Sequence, residues 1–592
     1  MAERGVMPQL MYLLRALGAA PRHRVRLGGL AFGLVVVVCA VAYGQIKLNA
    51  WNGAFYDLLA RRSFSDLDTE LGIFLVIVSG LLLLVVAQTW LQETIKIRLR
   101  EWLTHDLLDK WLAPKRPYLL AHAGEVGVNP DQYVQADARQ LAELTATLGF
   151  GLLQSSLLLV SFAGVLWMLS GQVVFTVDAQ KFTIPGYMVW CALLYALAGS
   201  WLAWVVGRPL VRLNAERYAR EADLRAAVVR IHESAEAIAL HGGESDERRT
   251  MNGTMGNVVY LGRQLANGVA RLTWVTSGYG WLGLVVPVLV ALPAYIFGDL
   301  TLGGLMMAVG AFNQVQTALR WFVDNVHNIA DWRATLLRVM RFREGLLSLS
   351  EAAEEAEQIA VEPHPYGKLA FENFSILLPD GRVALEGPLV EVDSGERVLI
   401  AGCPESSKSQ LLRAVAGLWS RGTGAILLPP AEAVMFMPPR PYLPITTLRA
   451  ALAYPAQADG FDDDAVRSAL KRVGLERLIT RLADTERWDK VLSADEQQRL
   501  SLARLVLQAP SWVFFEDTTP CTNEEHCRLV RSIFANELSG ATVIAIGSSP
   551  ALKGFYTRTL RLHRFQPDPQ AWLSPYHRPR YSVVEAALQA AV

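Results

Sequence analysis

GERVLIAGCPESSKSQLLRAVAGLW, Gly395–Trp419, is the stretch on which the reading of this chain turns. GERVLI reads as a strand and LLRAVAGLW as a helix. Between them, Gly402, Lys408 and Ser409 fit the phosphate-binding loop pattern G-x-x-x-x-G-K-[ST], while Ser407 stands at the second glycine. In such a loop the backbone N–H groups and the helix N-terminus surround phosphate oxygens, the lysine bridges the outer phosphates, and the hydroxyl holds magnesium. The expected lining is therefore Gly402, Cys403, Ser406, Ser407, Lys408, Ser409 and Gln410. Two features work against it: Ser407 adds a Cβ where close backbone approach is wanted, and Glu405 puts a negative charge beside a polyphosphate.

Working outward, short apolar runs alternate with helical patterns from Lys368 onward: LAFENFSILL, GERVLI, AVMFM, SWVFF and TVIAI. That alternation predicts an α/β domain with a largely parallel sheet over 368–565, followed by a tail over 566–592. The acidic and then Pro/Gly-punctuated segment 346–367 reads as a linker.

The first 345 residues are of another kind. The chain is 592 residues long, so more than one core is expected, and its 52% hydrophobic content is concentrated in this part. Six stretches are long and apolar enough to span a bilayer: Leu27–Ile46, Leu71–Leu91, Leu144–Leu169, Ile184–Val206, Leu272–Phe297 and Leu302–Ala318. Lys and Arg crowd the segment before the first span and the second-to-third and fourth-to-fifth connections, which places both termini and the α/β domain in the cytoplasm. Arg61 and Arg62 are a mild exception. Net charge is zero, which gives no hint of a nucleic-acid partner; membrane lipid is the partner the composition implies. The five cysteines form no C-x-x-C pair, and Cys521 and Cys527 around His526 lack a usual zinc spacing. On the sixth stretch Asn313, Thr317, Arg320, Asp324 and His327 recur at helical spacing. This polar stripe is a candidate translocation path in Asn313, Thr317 and Arg320, the last suiting an anionic substrate.

Four further segments follow in a fixed order: MPPRPYLPITTLRAAL from Met437, VLSADEQQRLSLARLVL from Val491, SWVFFEDTTPCTNEE from Ser511 and TVIAIGSSPAL from Thr542. They resemble the glutamine loop, signature, Walker B strand with D-loop, and switch strand of an ABC transporter nucleotide-binding domain. With six spans ahead of them, the chain resembles an ABC half-transporter: an all-α exporter-type membrane domain followed by an α/β nucleotide-binding domain. LNAWNGAFYDLL, REWLTHDLLDKWL, NPDQYVQADARQL and ESAEAIAL resemble the SbmA/BacA-related group, and more distantly the peroxisomal D-subfamily. Tyr133 and Ala136 depart from that group's usual N-P-D-Q-R-I-x-E-D.

The resemblance implies ATP and magnesium as cofactors, magnesium being held through Ser409 and Glu516. It also implies a homodimer or heterodimer with another half-transporter, and a peptide-like, cobalamin-like, acyl-CoA-like or other amphipathic solute carried across the inner membrane. Set against the family pattern, Pro439 replaces the glutamine, Glu516 and Asp517 invert the Walker B pair, Asn523 replaces the D-loop aspartate and Ser548 the switch histidine. In the signature Ser493 and Glu496 remain, but Asp495 replaces a glycine that would face a partner's γ-phosphate. Nucleotide binding is thus expected and strong hydrolysis is not. Two alternatives stay open: a proton-driven carrier with a pseudo-ATPase domain, for which Asp57 and Asp324 lie only near span ends, and a non-catalytic subunit of a mixed dimer.

Overall fold

The structure, a computed structural model, describes residues 18, 21–61, 67–122, 129–170, 175–177, 180–182, 184–296, 300–351, 358–378, 381–402, 405–516, 524–547 and 554–565. The chain divides into two compact units, Met1–Trp111 with Glu125–Gly345, and Leu112–Gly124 with Leu346–Val592.

The first unit is helical. Its main helices are α1 (Pro21–Ala60), α2 (Leu67–Trp111), α3 (Ala138–Ser170), α4 (Tyr187–Glu233), α5 (Glu244–Ile296), α6 (Leu302–Asp324) and α7 (Val326–Glu351). At 1.5 Å per residue α5 is about 80 Å long, far more than the roughly 30 Å hydrocarbon layer requires. Among the described residues, five helices, α1 to α5, are long and apolar enough to cross a membrane. The sixth expected span is the helix α6, and it falls short because Asn313, Gln314, Gln316 and Thr317 interrupt its apolar run. Packing explains why it can afford them. α6 lies against α1, α3, α4 and α5, and buries Leu305, Ala308, Ala311, Phe312 and Val315, so protein surrounds it on several sides. Large side chains such as Trp90, Trp201, Trp274, Trp281 and Leu83 point outward and exposed, an apolar surface suited to lipid. These features make the chain a multi-pass membrane protein.

Polar ties fix the helix ends. The Asp57 carboxylate accepts the Thr301 hydroxyl at 3.0 Å and the Gly303 N–H at 2.8 Å, while Thr301 caps α6 by accepting the Gly304 N–H at 3.0 Å. At the far end, Arg338 donates twice to the buried Asp137 carboxylate, at 2.9 and 2.8 Å, and Arg343 Nε reaches Asp106 at 2.9 Å. Asp137 closes a π-helical turn, Gln132–Asp137, which leads into α3. Tyr133 in that turn stacks on Phe342 with centroids 4.8 Å apart, a packing role that accounts for an aromatic at that position.

The polar stripe expected along the sixth stretch is interrupted. α6 ends at Asp324, and His327 lies on α7, where it pairs with Asp331 at 3.3 Å.

The second unit contains a ten-stranded sheet. Its strands are β1 (Ala360–Pro363), β2 (Leu369–Leu378), β3 (Gly381–Leu385), β4 (Leu389–Val392), β5 (Arg397–Ala401), β6 (Gly422–Leu428), β7 (Val434–Met437), β8 (Trp512–Glu516), β9 (Thr542–Ile546) and β10 (Arg558–Phe565). They lie in the order β1-β6-β2-β3-β10-β5-β9-β8-β7, with β4 on β2. From β10 to β7 all neighbours are parallel, while β2 pairs antiparallel with β3, β4 and β6. The parallel strands are buried on both faces, Val513, Phe514, Phe515, Val543, Ile544 and Ala545 all being inaccessible, as a helix-covered sheet requires. Two details correct the expected layout. Residues 360–363, expected as linker, form a strand because β6 offers a free parallel edge. Leu112–Gly124, expected within the membrane domain, belongs to the second unit, where the Lys115 ammonium fills the space that a side chain at Gly417 would need. The tail 566–592 lies outside the described residues.

The Asp57 cap gives a first test. Asp57→Ala leaves Thr301 and the Gly303 N–H without their acceptor and should cost about 1–2 kcal/mol, whereas Asp57→Asn should retain most of the bond energy. Thermal unfolding in nanodiscs reads the difference; equal midpoints for Asp57→Ala and the parent would remove the cap from the account.

Candidate functional site

The parallel strands bring their C-terminal ends to one edge. β5 is central, with Val398 and Ile400 fully buried, and at that edge it gives way to Gly402 and then to the helix α8 (Glu405–Val415). Gly402 has φ +104°, and a Cβ there would lie 2.6 Å from the Leu562 carbonyl oxygen on β10. Only glycine lets the chain leave β5 at this point. The first turn of α8 then carries Ser409 toward the end of β8, where its hydroxyl donates to Glu516 Oε1 at 2.7 Å.

A hydroxyl and a carboxylate therefore meet at the sheet edge, beside the first turn of a helix. Both groups are hard oxygen donors of the kind magnesium takes, so the pair fits that ion, and the exposed N–H groups of a helix start fit phosphate oxygens. The backbone at Ser406, Ser407 and Lys408 is helical, while their side chains, like the whole of Cys403, Asp517, Asn523 and Ser548, lie outside the described residues. Gln410 sits partly buried on α8.

The signature segment forms a helix start. Ser493 caps α9 (Ala494–Gln508), accepting the Glu496 N–H at 3.3 Å, and Glu496 in return accepts the Ser493 N–H at 3.0 Å. Glu496 also pairs with Arg477. Asp495 is not left as a bare anion. Arg499 Nε donates to it at 2.8 Å, and Nε2 of the fully buried His526, on α10 (Glu524–Ala535), lies 3.1 Å from its other oxygen. Arg499 also reaches Glu525 at 3.0 Å and the Val473 carbonyl at 3.2 Å. The carboxylate expected to repel a partner's phosphate is thus held within its own domain.

The same helix holds the glutamine-loop segment. Gln498 Nε2 donates to the Pro439 carbonyl at 2.8 Å, and buried Arg504 donates to the carbonyls of Tyr442 and Ala451 at 3.2 and 2.6 Å. Sequence reasoning missed Arg499, Arg504 and His526. Arg499 had a signal, its position four residues after Asp495 on a helix. His526 had a weaker one, its place on the apolar face of an amphipathic helix.

In the membrane unit the three path candidates separate. The Thr317 hydroxyl donates to the Asn313 carbonyl one turn back, at 2.8 Å, and both residues are exposed. Arg320 donates through Nε to Asp324 at 3.2 Å, so it is a member of an ion pair rather than an isolated cation. Between α4 and α5, each of Tyr195 and Tyr279 donates its hydroxyl to the other's backbone carbonyl, at 2.6 and 2.9 Å, with the rings stacked 4.3 Å apart.

Residues 13–296 match the family described as ABC transporter transmembrane region 2. The chain is similar to the inner membrane ABC transporter ATP-binding protein YddA of Escherichia coli, 30% identical over 88% of this chain and 92% of the relative. It is also similar to the chloroplastic ABC transporter D family member 2 of Arabidopsis thaliana, 26% identical over 92% and 84% of the two chains. The lysosomal cobalamin transporter ABCD4 of Mus musculus is 26% identical over 62% and 66%.

The surroundings of His526 predict an acid-sensitive second unit. Burial pushes its pKa below the ordinary 6.5, opposed by Asp495 and reinforced by Arg499. Above about pH 6.5 both folded and unfolded chains hold a neutral imidazole, so its contribution is constant. Below that value the unfolded chain gains a proton that the folded one resists, and stability falls until the lower folded pKa is reached. Hydrogen exchange in α9 and α10, corrected for intrinsic rates, should speed up between pH 7.5 and 5.5, and His526→Gln should flatten that dependence. An unchanged slope in His526→Gln would assign the acid sensitivity elsewhere.

Proposed function

The chain belongs to the ABC transporters, as a half-transporter, and from that premise we propose that it binds ATP in its C-terminal unit and moves an amphipathic solute across the inner membrane as one half of a dimer. The observation that carries this reading is the Ser409–Glu516 hydrogen bond at the C-terminal edge of the sheet, directly after Gly402. Ser409 and Glu516 would hold magnesium, with the α8 N-terminus and Lys408 on the phosphates. The ion would neutralise phosphate charge. The resemblance to the SbmA/BacA-related group implies a peptide-like solute, and the name of the mouse relative, a cobalamin transporter, a cobalamin-like one.

Hydrolysis is slow in this reading. Pro439 has no side chain to orient water, Asp517 is one methylene short of the usual glutamate, and Ser548 lacks an imidazole for the γ-phosphate. A displacement near 1 Å at a reacting group costs roughly a hundredfold in rate. Asp495, tied to Arg499 and His526, adds less repulsion than its charge alone implies. Proton coupling has little support, because Asp57 is occupied as a helix cap and Asp324 is paired with Arg320.

Nanodisc-embedded protein should bind a fluorescent ATP analogue saturably, with binding lost in Lys408→Ala, and should turn over ATP no faster than that control. Restoring the usual order with Glu516→Asp and Asp517→Glu together should raise turnover about tenfold or more. Brisk turnover by the parent that disappears in Lys408→Ala would overturn the slow-hydrolysis reading, and absence of nucleotide binding would overturn the whole.

A further inference from the structure

α7 leaves the end of α6 and runs past Gly345, where the second unit's share of the chain begins. On the way, three of its side chains meet partners in and just after the π-helical turn Gln132–Asp137. Trp332 Nε1 donates to the Thr145 hydroxyl at 2.9 Å, Arg338 donates twice to Asp137, and Phe342 stacks on Tyr133 with the ring planes 13° apart. The partners appear in reverse order, so the two segments run antiparallel. Asp137 and Phe342 are both buried, which makes these interior contacts. Arg343, next to Phe342, is tied through Nε to Asp106 of α2 instead of to the turn.

The winding of the turn decides which of these contacts can coexist. A π-helical turn closes i→i+5 bonds, holds one residue more than an α turn, and is rare. Rewinding it as α rotates everything before it by about 100° relative to everything after it, one residue's share of a 3.6-residue turn. Tyr133 and Asp137 lie toward its two ends, so both face α7 in the π register and only one does in the α register. Their grips differ in strength. A bidentate, charge-assisted bond to a buried carboxylate outweighs an aromatic stack. Thr145 lies beyond the turn, on the same side as Asp137, and keeps its bond to Trp332 in either register. The stack is therefore the contact that gives way. It is also close to the second unit, because Phe342 stands three residues before Gly345.

We propose that Gln132–Asp137 is a two-register switch through which nucleotide binding in the second unit acts on the membrane helices. In the π register Tyr133 and Asp137 both hold α7. In the α register Arg338 stays on Asp137 and Trp332 on Thr145 as a pivot, while Phe342 is freed and the C-terminal part of α7 parts from α3. Coupling between distant sites requires a two-state element that both sites bias, and this turn supplies one on the helix that leads into the second unit. The switch deepens the transporter reading and rests on it.

Hydrogen exchange of the full-length protein in nanodiscs, with and without adenylyl imidodiphosphate and magnesium, tests this, with binding of that nucleotide followed on the same samples. Amides of 132–137 should change exchange rate at least about fivefold on nucleotide addition, the lower end for linked sites, while those of α3 beyond Thr145 stay constant. Tyr133→Phe keeps the stack and should respond like the parent. Tyr133→Ala removes the stack and should lose the response. Because linkage is reciprocal, it should also shift the nucleotide Kd by a comparable factor. Deleting Gln135, an exposed residue of the turn, fixes the α register and should reproduce Tyr133→Ala. Should that deletion fail to fold, Tyr133→Ala, which keeps the chain length, still decides the matter. Nucleotide bound with exchange in the turn unchanged, or a Tyr133→Ala response equal to the parent's, overturns the switch and leaves nucleotide binding standing. Absence of nucleotide binding overturns the transporter reading, and the switch with it.

Discussion

At Gly402 the backbone passes so close to the Leu562 carbonyl that any side chain would collide with it, and the arrangement of the C-terminal unit depends on that passage. β5 is hydrogen-bonded on one side to β9 and on the other to β10, so the chain leaving it cannot swing away from either neighbour. On α8, which begins at Glu405, Ser409 stands within hydrogen-bond reach of Glu516 at the end of β8. The hydroxyl–carboxylate contact and the helix start beside it follow a position that has no room for a Cβ.

A second constraint organises the membrane unit. Helices in lipid satisfy their own backbone groups, so what remains to be matched are helix ends and the few polar side chains inside. Asp57 supplies the acceptor at the start of α6. Asp137 and Asp106 receive Arg338 and Arg343 of α7. The interior between these ties is packed with small residues, Ala192, Ala294, Ala308 and Ala311, which bring helices close where lipid tails offer no competing force.

Local patterns in the sequence carried the helical half, the strand alternation and the loop, because each depends on residues near one another in the chain. The sixth expected span was readable as a helix although its polar content sets it apart from the other five; only packing shows that protein covers it on several sides. The edge strand at 360–363 and the placement of Leu112–Gly124 depend on partners far away in sequence, β6 and Gly417, and no local pattern announces them. Asp495 shows the same limit at the site. Its identity is visible as a departure from a family pattern, but its partner His526 is thirty-one positions later on another helix. Likewise Arg320 reads as a lone cation on a stripe until Asp324 is seen bonded to it, and Tyr195 and Tyr279 look like ordinary apolar-span residues until their hydroxyls are found crossed.

The bonds around Asp495 have a bearing on the history open to this domain. If the chain descends from an ancestor with glycine at that position, the aspartate has since acquired two dependants, Arg499 and the buried His526. A return to glycine would strip both of their shared acceptor and leave a polar ring inside the core with less to hold it. On that descent, glycine would destabilise the domain in its own former place. Arg499 would keep Glu525 and the Val473 carbonyl, so the cost of reversal would fall on the buried His526.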